Sequence, residues 1–466
     1  MSSQSHDLAI IGGGPGGYVT AIRAAHHGQR VALIEQHEPG GVCLHTGCIP
    51  TKTMAASAGL MRQAQAARLA GISIDPDANF LGQINLRRHD VVTALAKGIQ
   101  HLISKNQVDL IPGRGRLDEN GAIAVTTPDG QTVNIARPPA LVLATGSHPT
   151  DIPIAPRDGH RILNSDDILT LEQKPGHLLI LGGGYIGCEF ASIFSQLGSQ
   201  VTIIEMESRL LAGMDPDLAQ ILQRSFKRAG IAQHLGRRLE TAVAEDNVQV
   251  TLDDGTKLEG DQLLVAVGRT PNTENLGLDH AGIQLDGTAI RVNDRMETTV
   301  PGVFAIGDVT GQMQLAHVAT AQGRVVVENL ANPKANAAMD YDQIPAAVFT
   351  HPEIATIGLT ETQATERGLP VQTGRFPFAA IGKALAEGNT EGFVKLIAHA
   401  DTGRLLGGHI IGGHAAELIG QVTLAIKLGA TAAQLTETIF AHPTLSEAVL
   451  EAAEGTFGQA THAARR

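Results

Sequence analysis

The sequence has few cysteines, no excess of positive charge and no long uninterrupted apolar run. Three cysteines in 466 residues are too few for a secreted fold held together by disulfides. The formal net charge of −12 argues against electrostatic binding to nucleic acid or to an anionic membrane surface. No apolar stretch reaches the roughly 18 residues typical of a transmembrane helix, and the first residues lack the pattern of a signal or transit peptide. These absences predict a soluble, cytoplasmic protein that binds neither nucleic acid nor membrane.

Glycine, by contrast, is abundant, and its placement indicates its use. Residues 7–17 read D-L-A-I-I-G-G-G-P-G-G and residues 177–187 read H-L-L-I-L-G-G-G-Y-I-G. Each is a short apolar strand that runs into G-x-G-x-x-G and then into a helical stretch. A second apolar strand follows in both copies and ends in an acid, Glu35 or Glu205, which lies 18 residues after the last glycine. The motif glycines are Gly12, Gly14, Gly17, Gly182, Gly184 and Gly187.

The two copies together predict two dinucleotide-binding units. A single G-x-G-x-x-G is a weak signal, but two copies with strand, helix and terminal acid at the expected spacing are a strong one. Glycines let a pyrophosphate approach the backbone N–H groups of a helix N-terminus, where the helix dipole favours anions. The terminal carboxylate accepts hydrogen bonds from the ribose of the adenosine.

A second duplicated element predicts how the units are connected. Residues 141–149, L-V-L-A-T-G-S-H-P, are echoed at 263–271 by L-L-V-A-V-G-R-T-P. Each reads as a buried strand that ends one unit, so 151–272 would be a complete unit inserted in another. The host would resume with V-P-G-V-F-A-I-G-D, which places Asp308 at the carboxyl end of a strand, where open α/β sheets bind ligands.

The length also favours about three domains at ~150 residues each. The predicted fold is α/β: two Rossmann-like dinucleotide-binding domains followed by an α+β domain. The predicted domain limits are 1–150 and 273–340 for the host unit, 151–272 for the inserted unit and 341–466 for the last domain. Within the host, Val92, Leu95, Ile99 and Leu102 have helical spacing and predict the apolar face of an amphipathic helix.

Two cysteines lie close together after the first unit. In G-G-V-C-L-H-T-G-C-I-P-T-K, Cys43 and Cys48 are five residues apart and enter a predicted helix. Half of a zinc site or two buried thiols are alternatives, but zinc requires more soft ligands than Cys188 could add. A redox-active disulfide is favoured, because thiols at a helix N-terminus have lowered pKa values and exchange readily. We expect Cys188 to be a packed helix residue, and we expect no metal site.

The cysteine pair, the two glycine motifs, Asp308 and A-H-P-T-L-S-E at 441–447 resemble the flavoprotein disulfide reductase family. The resemblance is strongest to its dihydrolipoamide-oxidising branch and runs over essentially the whole chain, including 375–386 and 407–419. It implies a homodimer in which the last domain forms the interface. It also implies that the lipoyl substrate arrives on another protein, a lipoylated acyltransferase component of a 2-oxoacid dehydrogenase complex or a lipoyl carrier protein.

By the same resemblance, FAD is bound by the first unit and NAD by the second. The set implied for FAD is Gly12, Gly14, Gly17, Glu35, Lys52, Thr145, Gly146 and Asp308, the last of which would contact the ribityl chain. The set implied for NAD is Gly182, Gly184, Gly187, Glu189, Glu205 and Gly268.

The resemblance further implies the catalytic roles. Cys48 would lie against the flavin and Cys43 would exchange with substrate sulfur, while Lys52 would pair with Glu189 beside the flavin. His442 would be the general acid/base, oriented by Glu447, and would act on Cys43 of the partner subunit. A structural alternative stays open for Glu447, because Thr444-x-x-Glu447 is also a capping box that would start the last helix.

Some positions depart from the family pattern, and other functions compete. Val42, His45 and Thr46 stand where the family often has Thr, Asn and Val, and Gln322 stands where an acid usually precedes a glycine. Glutathione reductase is disfavoured because Glu205 would repel the 2′-phosphate of NADP, although Arg209 follows four residues later. Mercuric reductase would be expected to carry a C-terminal cysteine pair. A non-catalytic flavoprotein scaffold is the alternative from another class of protein.

Overall fold

The computed structural model describes residues 5–68, 71–74 and 80–462, without the side chains of 65 and 66. The first and last residues of the predicted outer domains lie outside the described residues. The elements up to residue 149 are β1 Leu8–Ile11, α1 Pro15–His26, β2 Val31–Glu35, α2 Gly41–His45, α3 Cys48–Ala67, α4 Phe80–Lys105, β3 Asp109–Pro112, β4 Arg114–Leu117, β5 Ile123–Thr126, β6 Thr132–Ile135, β7 Ala140–Leu143 and β8 Ser147–Pro149.

The middle of the chain forms a second set of elements. These are β9 Ile162–Leu163, β10 His177–Leu181, α5 Tyr185–Gln196, β11 Gln200–Glu205, α6 Pro216–Arg228, β12 Ala232–Leu235, β13 Leu239–Ala244, β14 Val248–Leu252, β15 Lys257–Gly260, β16 Gln262–Val265 and β17 Arg269–Pro271. They are followed by α7 Leu278–Ala281, β18 Leu285–Asp286, β19 Ala289–Ile290, β20 Val303–Ala305 and α8 Ala316–Ala331.

The last part of the chain alternates strands and helices. Its elements are β21 Ala346–Val348, β22 Glu353–Gly358, α9 Glu361–Glu366, β23 Val371–Pro377, α10 Gly382–Glu387, β24 Phe393–His399, β25 Leu405–Gly412, α11 Ala415–Lys427, α12 Ala432–Thr436 and α13 Glu447–Gly455. Single 3₁₀ turns lie at Asp167–Thr170, Gly307–Thr310, Tyr341–Gln343 and Phe378–Ala380.

The two predicted nucleotide units are separate parallel sheets, one inserted within the other. The host sheet has the order β20-β7-β1-β2-β3, and the inserted sheet has the order β12-β11-β10-β16-β9. Since β20 follows the whole inserted sheet in sequence yet pairs with β7, the chain returns to complete the host. Strands β1 and β2 are buried along their full length, as expected for a parallel sheet covered on both faces. The predicted nesting is therefore confirmed.

The chain crosses between the two units at a short ribbon. Strands β8 and β17 pair antiparallel, with Ser147 opposite Pro271 and Pro149 opposite Arg269. These strands follow β7 and β16 directly, so the ribbon joins the carboxyl ends of the two sheets. The predicted residue limits of the domains agree with these sheet memberships and stay a prediction.

The last domain is built on an antiparallel sheet in the order β21-β22-β25-β24-β23. Helix α11 packs on β22 and β25, and α13 packs on β23 and β24. The core between them is apolar and includes Leu396, Ile410 and Val422. The predicted α+β class of this domain is confirmed.

The helix predicted around 92–102 is confirmed as α4, but only half of its predicted apolar face is covered. Val92 is half-buried and Ile99 packs on the host core, whereas Leu95 is 44% exposed and Leu102 is 48% exposed. The buried positions on this part of α4 are Ala96 and Ile103, one residue further along. Among the described helices, none is both long and apolar enough to cross a membrane.

Candidate active site

The first glycine turn forms a cradle at the start of α1. A Cβ on Gly17 would lie 1.8 Å from the carbonyl oxygen of Gly12, so only glycine allows the helix to approach the strand this closely. Gly12 itself has φ +107, a backbone conformation that favours glycine. No side chain caps the N-terminus of α1 at Gly14. The turn therefore presents uncapped N–H groups without side chains, which is the arrangement that binds a phosphate.

The terminal acid of this unit lies against the same turn. Glu35 Oε2 accepts a hydrogen bond from the N–H of Gly13 at 2.6 Å, and its Oε1 accepts one from the N–H of His37 at 2.8 Å. Although 92% of its surface is covered, the carboxylate is thus satisfied, and it borders the cavity described below. Both oxygens retain lone pairs that could accept from a ribose.

The second unit repeats this geometry residue for residue. Glu205 accepts from the N–H of Gly183 at 2.5 Å and from the N–H of Glu207 at 2.7 Å. A Cβ on Gly187 would lie 2.0 Å from the carbonyl oxygen of Gly182, and no side chain caps the N-terminus of α5 at Gly184. Two equivalent dinucleotide cradles are therefore present, as the repeat predicted.

A single large cavity extends from the first cradle to the cysteines. Its volume is about 1230 Å³, larger than the ~300–1,000 Å³ of sites for drug-sized ligands, so it suits a dinucleotide. Seven of the eight residues implied for FAD line it: Gly12, Gly14, Glu35, Lys52, Thr145, Gly146 and Asp308. Gly17 does not line it, because this glycine packs on Gly12 beneath the turn.

The residues implied for NAD are placed differently. Gly182, Gly184, Gly187, Glu205 and Gly268 do not line the large cavity, whereas Glu189 does. Glu189 thus lies apart from the other five residues, and its assignment to the NAD set stays a prediction. Its side chain extends from α5 toward α3 and belongs to the wall of the first cavity.

The two cysteines lie on consecutive helices that form part of this wall. Cys43 lies in α2 and Cys48 is the first residue of α3. Both are free thiols, joined by a hydrogen bond between their sulfur atoms. Cys188 is fully buried in α5 and its Sγ donates to the carbonyl of Gly183, which confirms it as a packed helix residue.

The surroundings shift the pKa values of the two thiols in opposite directions. The hydrogen bond from Cys43 and the charge of Lys52 lower the pKa of Cys48 to about 7, against the opposing effect of burial. The same hydrogen bond, burial and the charge on Cys48 raise the pKa of Cys43. Cys48 is therefore the sulfur that carries a thiolate near neutral pH, which is the form that reacts.

Lys52 and Glu189 form the ion pair that the resemblance implies. The Nζ of Lys52 donates to both carboxylate oxygens of Glu189, at 2.8 and 3.0 Å. Glu189 is 3% exposed and also accepts from the N–H of Phe349, whose ring lies 4.8 Å from the Lys52 Nζ. Phe349 is a neighbour that sequence reasoning missed, since nothing in its local sequence indicates the contact.

Asp308 lies in the 3₁₀ turn that follows β20, and its partners were also missed. The hydroxyl of Ser147 donates to Asp308 Oδ2 at 2.6 Å, and the Nε of Arg269 donates to the Ser147 hydroxyl at 2.8 Å. Ser147 and Arg269 are equivalent positions in the two copies of the second repeat, but only the pairing of β8 with β17 brings them together.

Gln322, the departure in α8, has a defined role in packing. It is fully buried, its Oε1 accepts from the N–H of Gly307 at 2.6 Å, and its Nε2 donates to the hydroxyl of Tyr341 at 2.9 Å. A neutral amide thus holds the residue that precedes Asp308. The departures Val42, His45 and Thr46 all line the cavity beside the cysteines.

His442 and Glu447 are brought together in the last domain. The Nδ1 of His442 lies 2.8 Å from Glu447 Oε1, and Glu447 Oε2 accepts from the N–H of Thr444 at 2.9 Å. The pKa of Glu447 is lowered, chiefly by the His442 hydrogen bond. Because the carboxylate favours the hydrogen on Nδ1, the other ring nitrogen is left for proton transfer.

The capping-box alternative for Glu447 is realised only in part. The Thr444 hydroxyl donates to the carbonyl of Ala441 rather than accepting from the Glu447 N–H, and α13 begins at Glu447. The carboxylate therefore both holds the loop and orients an imidazole. His442 is largely exposed, and neither it nor Glu447 lines the cavity that contains the cysteines. Among the described residues there is no cluster of three or more metal-ligating side chains.

Comparison with known proteins agrees with this geometry. Residues 6–323 match the family model of pyridine nucleotide-disulphide oxidoreductases, and residues 344–453 match the dimerisation domain of the same family. The dihydrolipoyl dehydrogenase of Chlamydia muridarum is 41% identical over 97% of this chain and 97% of its own. Dihydrolipoyl dehydrogenase 3 of Pseudomonas putida is 39% identical over 98% of this chain and 99% of its own.

Solved structures give the same result. LpdA of Mycobacterium tuberculosis superimposes with a TM-score of 0.91 at 32% identity, over 96% of this chain and 98% of that one. The HOCl-induced flavoprotein disulfide reductase RclA of Escherichia coli superimposes with a TM-score of 0.84 at 32% identity, over 96% of this chain and 99% of that one.

Proposed function

The chain belongs to the pyridine nucleotide-disulphide oxidoreductase family, and on this basis we propose that it oxidises protein-bound dihydrolipoyl groups to the disulfide with NAD. Relatives at about 40% identity over nearly their whole length carry the name dihydrolipoyl dehydrogenase. The observation that carries the proposal is the pair of thiols of unequal pKa, held with Lys52 in a dinucleotide-sized cavity.

FAD fits the first unit. The Gly12–Gly17 cradle and the uncapped start of α1 suit its pyrophosphate, Glu35 its adenosine ribose, and Asp308 its ribityl hydroxyls. When bound, FAD carries two electrons between the cysteine pair and NAD. The protein's part is to place the Cys48 sulfur on the wall of that cavity and to lower its pKa through the hydrogen bond from Cys43 and the charge of Lys52.

The chain's own residues can perform the dithiol exchange. A thiolate of the dihydrolipoyl group attacks the Cys43 sulfur of the oxidised pair, the Cys43–Cys48 bond breaks, and Cys48 leaves as the thiolate. The second substrate thiol loses its proton to His442, and its sulfur attacks the substrate sulfur of the mixed disulfide. The bond between that sulfur and Cys43 breaks, and Cys43 leaves as a thiolate that can take the proton back from His442. The substrate leaves as a disulfide and both cysteines are reduced, so two electrons have moved from substrate to protein.

We infer that the proton acceptor comes from a second copy of the chain. His442 is exposed and does not line the cysteine cavity of its own chain, while residues 344–453 match a dimerisation domain. Three residues before it, Ile439 is 97% exposed, an apolar side chain that a homodimer would cover. The lipoyl group would arrive on a lipoylated acyltransferase component or a lipoyl carrier protein.

The second unit favours NAD over NADP. The carboxylate of Glu205 is fixed at the end of β11 by the N–H groups of Gly183 and Glu207, where the family's ribose site would place a 2′-phosphate. Arg209, the cation that could favour NADP, donates instead to the carbonyl of Ala212 at 2.6 Å. Glutathione reductase is thus disfavoured as an alternative.

Glu205→Ala tests this preference. Removing the carboxylate should lower kcat/KM for NAD by roughly 10- to 150-fold and raise it for NADP, because one hydrogen-bonded charge is worth ~1.5–3 kcal/mol. Steady-state kinetics with both nucleotides measure the change. Flavin content is the internal control, because FAD binding is proposed for the first unit, whose terminal acid is Glu35. Equal efficiency of the unaltered protein with NAD and NADP would contradict the assignment.

Gly17→Ala and Gly187→Ala form a matched pair that tests which unit binds which nucleotide. Each added methyl would clash with a backbone carbonyl, at 1.8 Å in the first unit and 2.0 Å in the second. Such overpacking costs about 1–3 kcal/mol. Gly17→Ala should release flavin about 10-fold more readily, whereas Gly187→Ala should keep its flavin and raise the KM for NAD. The opposite pattern would exchange the two assignments.

Turnover is the direct test of the function. The purified protein should be yellow, release one FAD per chain on denaturation, and reduce NAD with free dihydrolipoamide as the substrate. A flavoprotein without this turnover would favour the scaffold alternative, and a protein without flavin would exclude the proposal.

A further inference from the structure

A chain of hydrogen bonds reaches Asp308 from the other nucleotide unit. Arg269 Nε donates to the Ser147 hydroxyl at 2.8 Å, and that hydroxyl donates to Asp308 Oδ2 at 2.6 Å. Arg269 Nη2 also donates to the Ser147 carbonyl at 2.9 Å, so the guanidinium is hydrogen-bonded to two oxygen atoms of Ser147. Ser147 is 2% exposed, which protects these hydrogen bonds from competition by water.

The direction of these bonds follows from the chemistry of the groups. A guanidinium can only donate, so the Ser147 oxygen must accept from it. The single hydroxyl hydrogen is then directed to the carboxylate of Asp308. Asp308 Oδ2 accepts this hydrogen bond, while Oδ1 accepts none from any described residue. One oxygen of a fixed carboxylate is therefore left for a ligand of the cavity that Asp308 lines.

These hydrogen bonds also link parts of the molecule that are distant in sequence. Arg269 ends the inserted unit and Asp308 belongs to the host, and the β8–β17 ribbon brings them to the same residue. The main chain of Arg269 is itself held, since Gln314 Nε2 donates to its carbonyl at 3.3 Å. Both the side chain and the main chain of Arg269 are thus held by hydrogen bonds.

We propose that Arg269 is a positioning residue for FAD, which acts through Ser147 to hold the Asp308 carboxylate ready for the ribityl hydroxyls. This rests on the proposed function, because it requires that the first unit binds FAD. A lysine at this position would keep the positive charge but could not donate to the hydroxyl and the carbonyl of Ser147 in the geometry of the planar fork.

A double-mutant cycle on the holoenzyme tests the proposal. The rate of FAD release is followed by the rise in flavin fluorescence for Arg269→Lys, Ser147→Ala and the double variant. Each single substitution should speed FAD release about 10-fold. The double substitution should also speed it about 10-fold instead of 100-fold, because both substitutions break the same chain of hydrogen bonds. The visible circular dichroism of the bound flavin should change alike in all three variants.

Arg161→Lys is the matched control. Arg161 lies in the same unit, donates to the carbonyl of Asp261 at 3.1 Å and does not line the cavity, so its replacement should leave FAD release unchanged. Far-UV circular dichroism checks that every variant is folded. Independent, multiplying effects of the two changes, no effect of Arg269→Lys, or an equal effect of Arg161→Lys would each overturn the inference. If the unaltered protein holds no flavin, the proposed function itself fails.

Discussion

Replacing His442 with glutamine should lower the oxidation of dihydrolipoamide about 10²–10⁴-fold, the usual contribution of a general acid or base. Glutamine keeps a polar side chain but has no nitrogen that gains and loses a proton near neutral pH. The residue lies on an exposed loop, so the fold and the flavin content should be unchanged. Steady-state turnover together with the flavin absorbance measures both quantities.

Glu447→Gln should have a smaller effect and serves as the comparison. The glutamine oxygen can still accept from the N–H of Thr444, but its amide group cannot orient and stabilise a protonated His442 as the carboxylate does at 2.8 Å. A capping role alone would make this change nearly silent, since glutamine serves equally well in a capping box. A silent Glu447→Gln combined with an active His442→Gln would leave only the structural role.

Mixed dimers test whether His442 acts across the interface. Cys43→Ser and His442→Gln protomers are each expected to be inactive alone. A heterodimer of the two has one site with both defects and one site with neither, so part of the activity should return. If such heterodimers form and remain inactive, His442 does not serve the partner's disulfide.

Loss of either cysteine should abolish dithiol oxidation, with an expected decrease of at least about 10³-fold because the exchange has no alternative sulfur. The two variants should nevertheless differ in their spectra. After two-electron reduction, a Cys48 thiolate beside the flavin should give a long-wavelength absorption band. The band should survive Cys43→Ser and disappear in Cys48→Ser. The reverse result would exchange the roles of the two sulfurs.

The pH dependence of this band gives a second measurement. Because the pKa of Cys48 is lowered to about 7, the thiolate is present above that pH and is protonated below it. The band should therefore fade as the pH decreases through about 7. Since the charge of Lys52 contributes to the low pKa, Lys52→Met should move the loss of the band to higher pH. A band that is constant from pH 5 to pH 9 would contradict the thiolate assignment.

Much of the architecture follows from local sequence patterns. The two glycine turns, their buried strands and their terminal acids were predicted from spacing alone, because each unit is a strand, a turn and a helix that are contiguous in sequence. The nesting of 151–272 followed from the second repeat. By contrast, the pairing of Lys52 with Glu189 and the roles of His442 and Glu447 came from family resemblance, not from spacing.

Local sequence patterns specify the elements whose chemistry is local: two dinucleotide cradles, a cysteine pair at the start of a helix and an acid at the end of each second strand. What these elements contact depends on how the sheets and helices pack. Glu189 faces the first cavity because α5 packs on α3, and Ser147 meets both Arg269 and Asp308 because β20 returns to β7 after the inserted sheet. Helical periodicity likewise predicted α4 and the packing of Ile99, but not the exposure of Leu95 and Leu102, since burial depends on the neighbours that the fold supplies. Contacts between residues more than a hundred positions apart depend on sheet order and helix packing, which no local pattern encodes.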